Sequence, residues 1–309
     1  MSHMIYDIFI VGAGPGGLTA ALYGARAGLS VLVADPGLPG GQMTLTHQID
    51  NYPGFPDGID GFSIGDLFQK QALKWGAEIV QETVASITPQ DDLWLIRTDR
   101  KEYTARAVIA ASGARPRPLG IPGEERLKGM GVSYCGTCDG PLYRGKTVAV
   151  IGGGNTALQE ADFLARFVEK IYLVHRRDTF RAQKALVDNA LSNEKIQTVL
   201  NATPLEVLGD DLVNGLFISR EGKEEILDVD GVFIFTGYAP NTDYCGDLVE
   251  TDPNGRILTD HHYATKTKGL YAIGDIRSKE VFQIANAVGE GAEVAHFIQE
   301  YIKGSRPER

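Results

Sequence analysis

The sequence predicts an α/β protein that uses one strand–turn–helix–strand unit twice. Three observations carry this. First, an apolar strand at 7–11 runs into Gly12, Gly14 and Gly17 in G-x-G-x-x-G spacing; a helical run to about Ala27 and a second strand, 30–34, follow, and the unit closes at Asp35. Second, the order returns in KTVAVIGGGNTALQEADFLARFVEKIYLVHRRDTFRA, where Gly152, Gly154 and Ala157 fill the glycine positions, and the interval from Gly12 to Asp35, 23 positions, equals that from Gly152 to His175. Third, both units end on an apolar strand that closes in Gly-x-x-Pro: AVIAASGARP (107–116) and GVFIFTGYAP (231–240).

Each element has a physical reason. The glycines permit a tight turn, let backbone approach a pyrophosphate and pack helix on strand, and the helix N-terminus faces the phosphates. Asp35 is placed to accept hydrogen bonds from a ribose. The chain thus reads as two Rossmann-like dinucleotide-binding domains. The remainder, from Tyr244, is too short for a third; it holds GLYAIGD, with Gly274 and Asp275, then a long helical run, IANAVGEGAEVAHFIQEYI. The simplest assembly returns it to the first domain, so the second is inserted into the first. The predicted parts are 1–116, 117–243 and 244–309, with crossings near 115–123 and 237–246, both rich in glycine and proline.

The two units differ where the ribose is read. The second has His175, Arg176 and Arg177, with Arg181 following, in place of an acid. Guanidinium groups bind a 2′-phosphate that a carboxylate would repel, so this site is predicted to take NADP rather than NAD. The alternative is a solvated basic turn.

Composition narrows the function. A chain of 309 residues, 43% hydrophobic, is long enough for two cores. A net charge of −10 without a basic stripe argues against nucleic acid or an anionic membrane as partner. No apolar run approaches the ~20 residues of a membrane helix. The N-terminus has no signal-peptide pattern; Met1–His3 read as a tag remnant and Met4 as the natural start. Three cysteines do not make a secreted disulfide framework, so a cytoplasmic location is expected.

Two of those cysteines, Cys135 and Cys138, lie in SYCGTCDGPLY. Half a zinc site, a structural disulfide and a redox dithiol all fit C-x-x-C. Zinc needs four ligands, and neither Cys245 nor the histidines show ligand spacing with the pair, so no metal is expected. A permanent disulfide suits a cytoplasmic chain poorly. The redox dithiol is favoured: two thiols meet across one turn, so either can close on the other and release a mixed disulfide. Asp139 reads either as a proton exchanger for a leaving thiolate or as a turn cap. Cys245 reads as structural.

The order GAGPGG, GGQ, CxxCDG, GGGNTA, HRRDxFRA and GLYAIGD closely resembles the low-molecular-weight thioredoxin reductases, over about 5–302. The resemblance implies an NADPH-dependent, homodimeric flavoprotein disulfide reductase. Gly12, Gly14 and Gly17 would hold the FAD pyrophosphate and Asp35 the adenosine ribose. Gly41, Gln42 and Asn51 match a loop that wraps FAD; Asp275 would bind the ribityl and pyrophosphate side, and Gln283 would lie by the isoalloxazine. Gly154, Asn155, Thr156, His175, Arg176, Arg177 and Arg181 would hold NADPH. Cys135 and Cys138 would be the redox disulfide, Asp139 the nearby acid and thioredoxin the partner. The resemblance also implies two domain orientations, with hinges at the crossings. The chain departs from the pattern at Gly136, where alanine is usual, at Pro141, where an aromatic is, and at Phe282, where arginine precedes the glutamine. The last leaves other readings open: another electron donor, another disulfide acceptor (a peroxidase component or a small-molecule disulfide), or a disulfide-forming relative.

Overall fold

The computed structural model describes residues 4–45, 49 and 51–305, without the side chains of Leu45, Thr137, Cys138 and Ser305. Met1–His3, read as a tag remnant, lie outside the described residues. The first unit opens with β1 (Ile5–Val11), α1 (Pro15–Arg26), β2 (Val31–Asp35), α2 (Gly61–Lys74), β3 (Glu78–Gln81), β4 (Val84–Gln90), β5 (Leu93–Thr98) and β6 (Glu102–Ala110). Their order in the sheet is β3-β2-β1-β6-β5-β4. The pairs β3–β2, β2–β1 and β1–β6 are parallel, whereas β6, β5 and β4 form an antiparallel meander. β1 is central and fully buried at Ile8, Phe9 and Ile10. A strand covered on both faces reads as a continuous apolar run rather than an alternation. Pro15 sits in the first turn of α1, where its missing N–H costs nothing.

The chain leaves this unit through β7 (Ala114–Pro116). The second unit contains β8 (Val132–Ser133), α3 (Gly136–Asp139), β9 (Thr147–Ile151), α4 (Asn155–Leu164), β10 (Lys170–Val174), α5 (Lys184–Ser192), β11 (Ile196–Val199), β12 (Ala202–Leu208), β13 (Gly215–Arg220), β14 (Lys223–Leu227) and β15 (Gly231–Ile234). Its parallel sheet runs β11-β10-β9-β15-β8, and β12-β13-β14 form a separate meander. The strand-by-strand correspondence is direct: β9, β10, β11 and β15 repeat β1, β2, β3 and β6.

The return passes through β16 (Tyr238–Pro240), which pairs with β7, so the two Gly-x-x-Pro strand ends pair with each other. β17 (Leu270–Ala272) then joins the far half of β6, from Leu270 beside Val108 to Ala272 beside Ala110. The last helix, α6 (Ile284–Ser305), packs on α1.

The two compact units are Met1–Arg115 with Ala239–Arg309, and Pro116–Tyr238. The second boundary falls five positions before the predicted 243/244. The reason is local. Asn241 donates its amide N–H to Gly113 O (3.0 Å) and its side-chain Nδ2 to Ser112 O (2.8 Å), and its Oδ1 accepts from Arg115 Nη1 (2.7 Å). These bonds tie 239–243 to the first unit. No described helix is long and apolar enough to cross a membrane.

Candidate functional site

The glycine turn of the first unit is built as its sequence demands. Gly12 has φ +109°, and a Cβ there would strike Ala111 O. A Cβ on Gly17 would strike Gly12 O, so only glycine lets α1 begin this close to β1. At Gly14 a Cβ would meet nothing within 4 Å, and the space before the helix is open. Asp35, at the end of β2, accepts from Ala13 N (2.7 Å) and Gly37 N (2.8 Å), which fixes its carboxylate beside the turn. Gly41 lies against Gly14, where a Cβ would come within 3.1 Å of Gly14 Cα, and Gln42 beside it is exposed. Asn51 Nδ2 donates to Gln283 Oε1 at 3.0 Å, joining positions 232 apart in sequence. Asp275 follows β17 in a turn of 3-10 helix. Burial raises its carboxyl pKa, and Lys279 at 3.6 Å pulls it back. Around it lies an ion-pair network the sequence did not reveal. Glu290, buried, accepts from Gly274 N (2.6 Å), Arg277 Nη1 (2.9 Å) and Lys279 Nζ (3.3 Å).

In the second unit a cavity of about 500 Å³ opens where β9, β10 and β15 end. Gly154, Thr156, His175, Arg176 and Arg181 line it. The basic segment is tied to the glycine turn by two bonds, Arg181 N to Gly153 O and Gln183 N to Asn155 Oδ1, each 2.8 Å. A Cβ at Gly153 would overlap the His175 ring, which stacks on Phe180 with centroids 5.4 Å apart. Burial, followed by the neighbouring arginines, lowers the His175 pKa below its ordinary 6.5, so the ring is neutral at pH 7. Its Nε2 is buried without a hydrogen-bond partner. Asn155 and Arg177 do not line the cavity. Arg117, which no motif singles out, does; its Nε donates to Tyr238 O at 3.0 Å.

The cysteines sit at α3, also in the second unit. Cys135 is disulfide-bonded. Its N–H donates to Ser133 Oγ (3.1 Å), and Asp139 N donates to Cys135 O (3.2 Å). The side chain of Cys138 is outside the described residues. A Cβ at Gly136 would meet the Glu160 carboxylate of α4, so glycine inside the motif lets this carboxylate lie against α3. Pro141 occupies the first turn of the 3-10 helix Gly140–Tyr143, where no N–H is needed.

The chain matches the family model described as pyridine nucleotide-disulphide oxidoreductase over residues 6–291. It is 42% identical over 302 residues to a thioredoxin reductase of Listeria monocytogenes, covering 97% of this chain and 94% of that one. The crystal structure of Lactococcus lactis thioredoxin reductase superposes with a TM-score of 0.87 at 37% identity, over 97% of this chain and 99% of that one. That of T. acidophilum thioredoxin reductase gives 0.83 at 35%, over 96% and 99%. The chain belongs to the pyridine nucleotide-disulphide oxidoreductase family. The resemblance read from its motifs and the predicted fold class are both borne out.

Membership in this family implies a flavin and a pyridine nucleotide. The residues present fit both groups. The open space at Gly14, at the N-terminus of a 12-residue helix, suits a pyrophosphate. The second cavity offers glycine backbone, an orphaned imidazole nitrogen and three arginines, a donor set for a phosphorylated nucleotide.

Cys245 stands apart from this chemistry. It is a buried free thiol, and burial pushes its pKa up to about 12. Only the thiolate reacts, so native, non-reduced protein should show no thiol toward iodoacetamide, and unfolding without reductant should expose one. A thiol titrated in the native state would contradict this. Asp260, His261 and His262 bring one ligand atom each within 4.8 Å, but all three are exposed, and Asp260 Oδ1 already accepts the amides of His262 and Ala264.

Proposed function

We propose that the chain is an NADPH-dependent flavoprotein disulfide reductase that uses FAD and reduces thioredoxin through Cys135 and Cys138. The observation that carries this reading is a disulfide-bonded Cys135 at the head of a one-turn helix, in the same unit as an arginine-lined cavity beside a glycine turn. Gly12, Gly14, Gly17, Asp35, Gly41, Gln42, Asn51, Asp275 and Gln283 would hold FAD. Gly154, Thr156, His175, Arg176 and Arg181 would hold NADPH, with Asn155 fixing the loop and Arg177 adding charge at its edge. When bound, these cofactors supply the two-electron chemistry that returns the disulfide to the dithiol.

The chain's own residues do the rest. In the dithiol, one cysteine thiolate attacks a sulfur of the partner's disulfide, forming a mixed disulfide and releasing the other partner sulfur as thiolate. The second cysteine then attacks the bridging sulfur of its neighbour. The Cys135–Cys138 bond forms, and the partner leaves as a dithiol. Asp139 gives the departing thiolate its proton and takes one from the attacking thiol. Arg176 and Arg181 meet the 2′-phosphate, which an acid at this place would repel. The neutral His175 adds no charge there but stiffens the turn by stacking on Phe180.

The reading includes a homodimer, a cytoplasmic location and two orientations of the units. A second reading keeps the fold and exchanges the donor or the acceptor, and Phe282 is the observation behind it. The test of the cofactor assignment is simple. Purified protein should be yellow, with about one FAD per chain. Protein that stays colourless after incubation with FAD would sink the assignment.

A further inference from the structure

Phe282 removes a cation from the place the resemblance gives to arginine, just before Gln283. The structure carries a cation back to that place from another part of the chain. Arg256 ends the turn that begins at Asp252, whose Oδ1 accepts the amides of Asn254 (2.8 Å) and Arg256 (2.9 Å). The next residue, Ile257, donates its N–H to Ile276 O (3.0 Å) and accepts from Ser278 N (2.8 Å). This seats the turn along the segment that contains Asp275. The Arg256 guanidinium carbon then lies 4.3 Å from the centroid of the Phe282 ring. An aromatic face holds a guanidinium by its quadrupole while leaving the in-plane donors free.

Two cations, Arg256 and Lys279, lie at the Phe282 ring, and the neighbouring cations Lys279 and Arg277 are held in ion pairs. Arg277 is paired with Glu290 at 2.9 Å. Lys279, 5.6 Å from the Phe282 centroid, is paired with Asp275 at 3.6 Å and Glu290 at 3.3 Å. Arg256 makes no ion pair within 4 Å among the described residues, although its charge acts on the Asp252 and Asp275 carboxylates, and its Nε is buried without a hydrogen-bond partner. Arg256 as a whole is only half-buried, so the enclosed Nε is not the donor a ligand would reach, and the outer guanidinium nitrogens are the ones left to meet it. We propose that Arg256, held on Phe282, supplies the cation that position 282 lacks and binds an oxygen of FAD. This rests on the reading of the first unit as the FAD site. It makes Arg256 and Phe282 a positioning pair, and it removes the main ground for a changed electron donor.

The test uses the purified holoenzyme, R256M, F282R and the double variant R256M/F282R. FAD affinity is read by flavin fluorescence after dialysis against potassium bromide, and midpoint potential by equilibration with a reference dye. R256M should bind FAD at least about tenfold more weakly, the loss of one charged contact, and its potential should fall, since a cation favours the reduced, more anionic flavin. The double variant, which returns the cation to position 282, should regain affinity to within about threefold of the unmodified chain, an allowance well below one charged contact. Unchanged affinity and potential in R256M would overturn the proposal, as would a double variant no better than R256M. Should R256M fail to fold, F282L removes the ring under the guanidinium and is read the same way: weaker FAD binding supports the proposal, unchanged binding overturns it. An unmodified chain that binds no FAD would instead bring down the flavin reading itself.

Discussion

Cys138→Ser is expected to lower turnover with thioredoxin by on the order of 10³-fold or more, while NADPH still bleaches the flavin at the unmodified rate. The two halves of this result follow from separate parts of the chain. Flavin reduction draws on the glycine turns and the arginine-lined cavity and needs no cysteine sulfur. Disulfide exchange needs two sulfurs: one attacks the partner, the other resolves the mixed disulfide. A lone Cys135 can form the mixed disulfide but cannot release the partner by closing on its neighbour. The variant should therefore trap thioredoxin covalently, as a reductant-sensitive species on a gel. Stopped-flow traces and steady-state rates separate the halves. Substantial turnover in Cys138→Ser would rule out the dithiol as the relay.

The second large effect is expected in nucleotide choice. Arg176→Ala with Arg181→Ala should raise KM for NADPH by about 10- to 100-fold for each arginine lost, and leave KM for NADH nearly unchanged. Both side chains line the cavity and are exposed enough to reach a ligand. The Arg181 backbone is locked to the glycine turn, so truncating its side chain leaves the turn in place. Arg177 does not line the cavity, and Arg177→Ala should have a smaller effect, through the field alone. KM is measured for both nucleotides in each variant. Equal KM for NADPH and NADH in the unmodified chain would refute the role given to the arginines.

Much of this was legible in the sequence, and the exceptions share a cause. The two glycine turns and their following residues are local patterns whose geometry is set by hard contacts. A Cβ at Gly17 has nowhere to go, and the sequence spacing says so. The strand ends at 113–116 and 237–240 were readable as a repeat, but their pairing with each other was not. Nor was Asn241's grip on Ser112 and Gly113, which moves the boundary to 238/239. The meanders β4–β6 and β12–β14 carry no motif. Non-local contacts were invisible for the same reason. Glu160 against Gly136, Arg117 at the cavity, and Glu290 with its two cations depend on where helices and loops meet, not on spacing. The bond from Asn51 to Gln283 is an instructive intermediate case: the resemblance named both residues, and only the structure brings them to 3.0 Å.

The central claim is that electrons from NADPH leave through the Cys135 disulfide to a protein partner. The measurement that bears on it most directly is NADPH oxidation at 340 nm by the FAD-loaded chain, with and without a cognate thioredoxin. Little oxidation should occur without thioredoxin, and rapid oxidation should follow its addition, with one dithiol formed per NADPH consumed. NADPH that is not consumed when thioredoxin is added, by protein whose flavin is present and reducible by dithionite, would contradict the account.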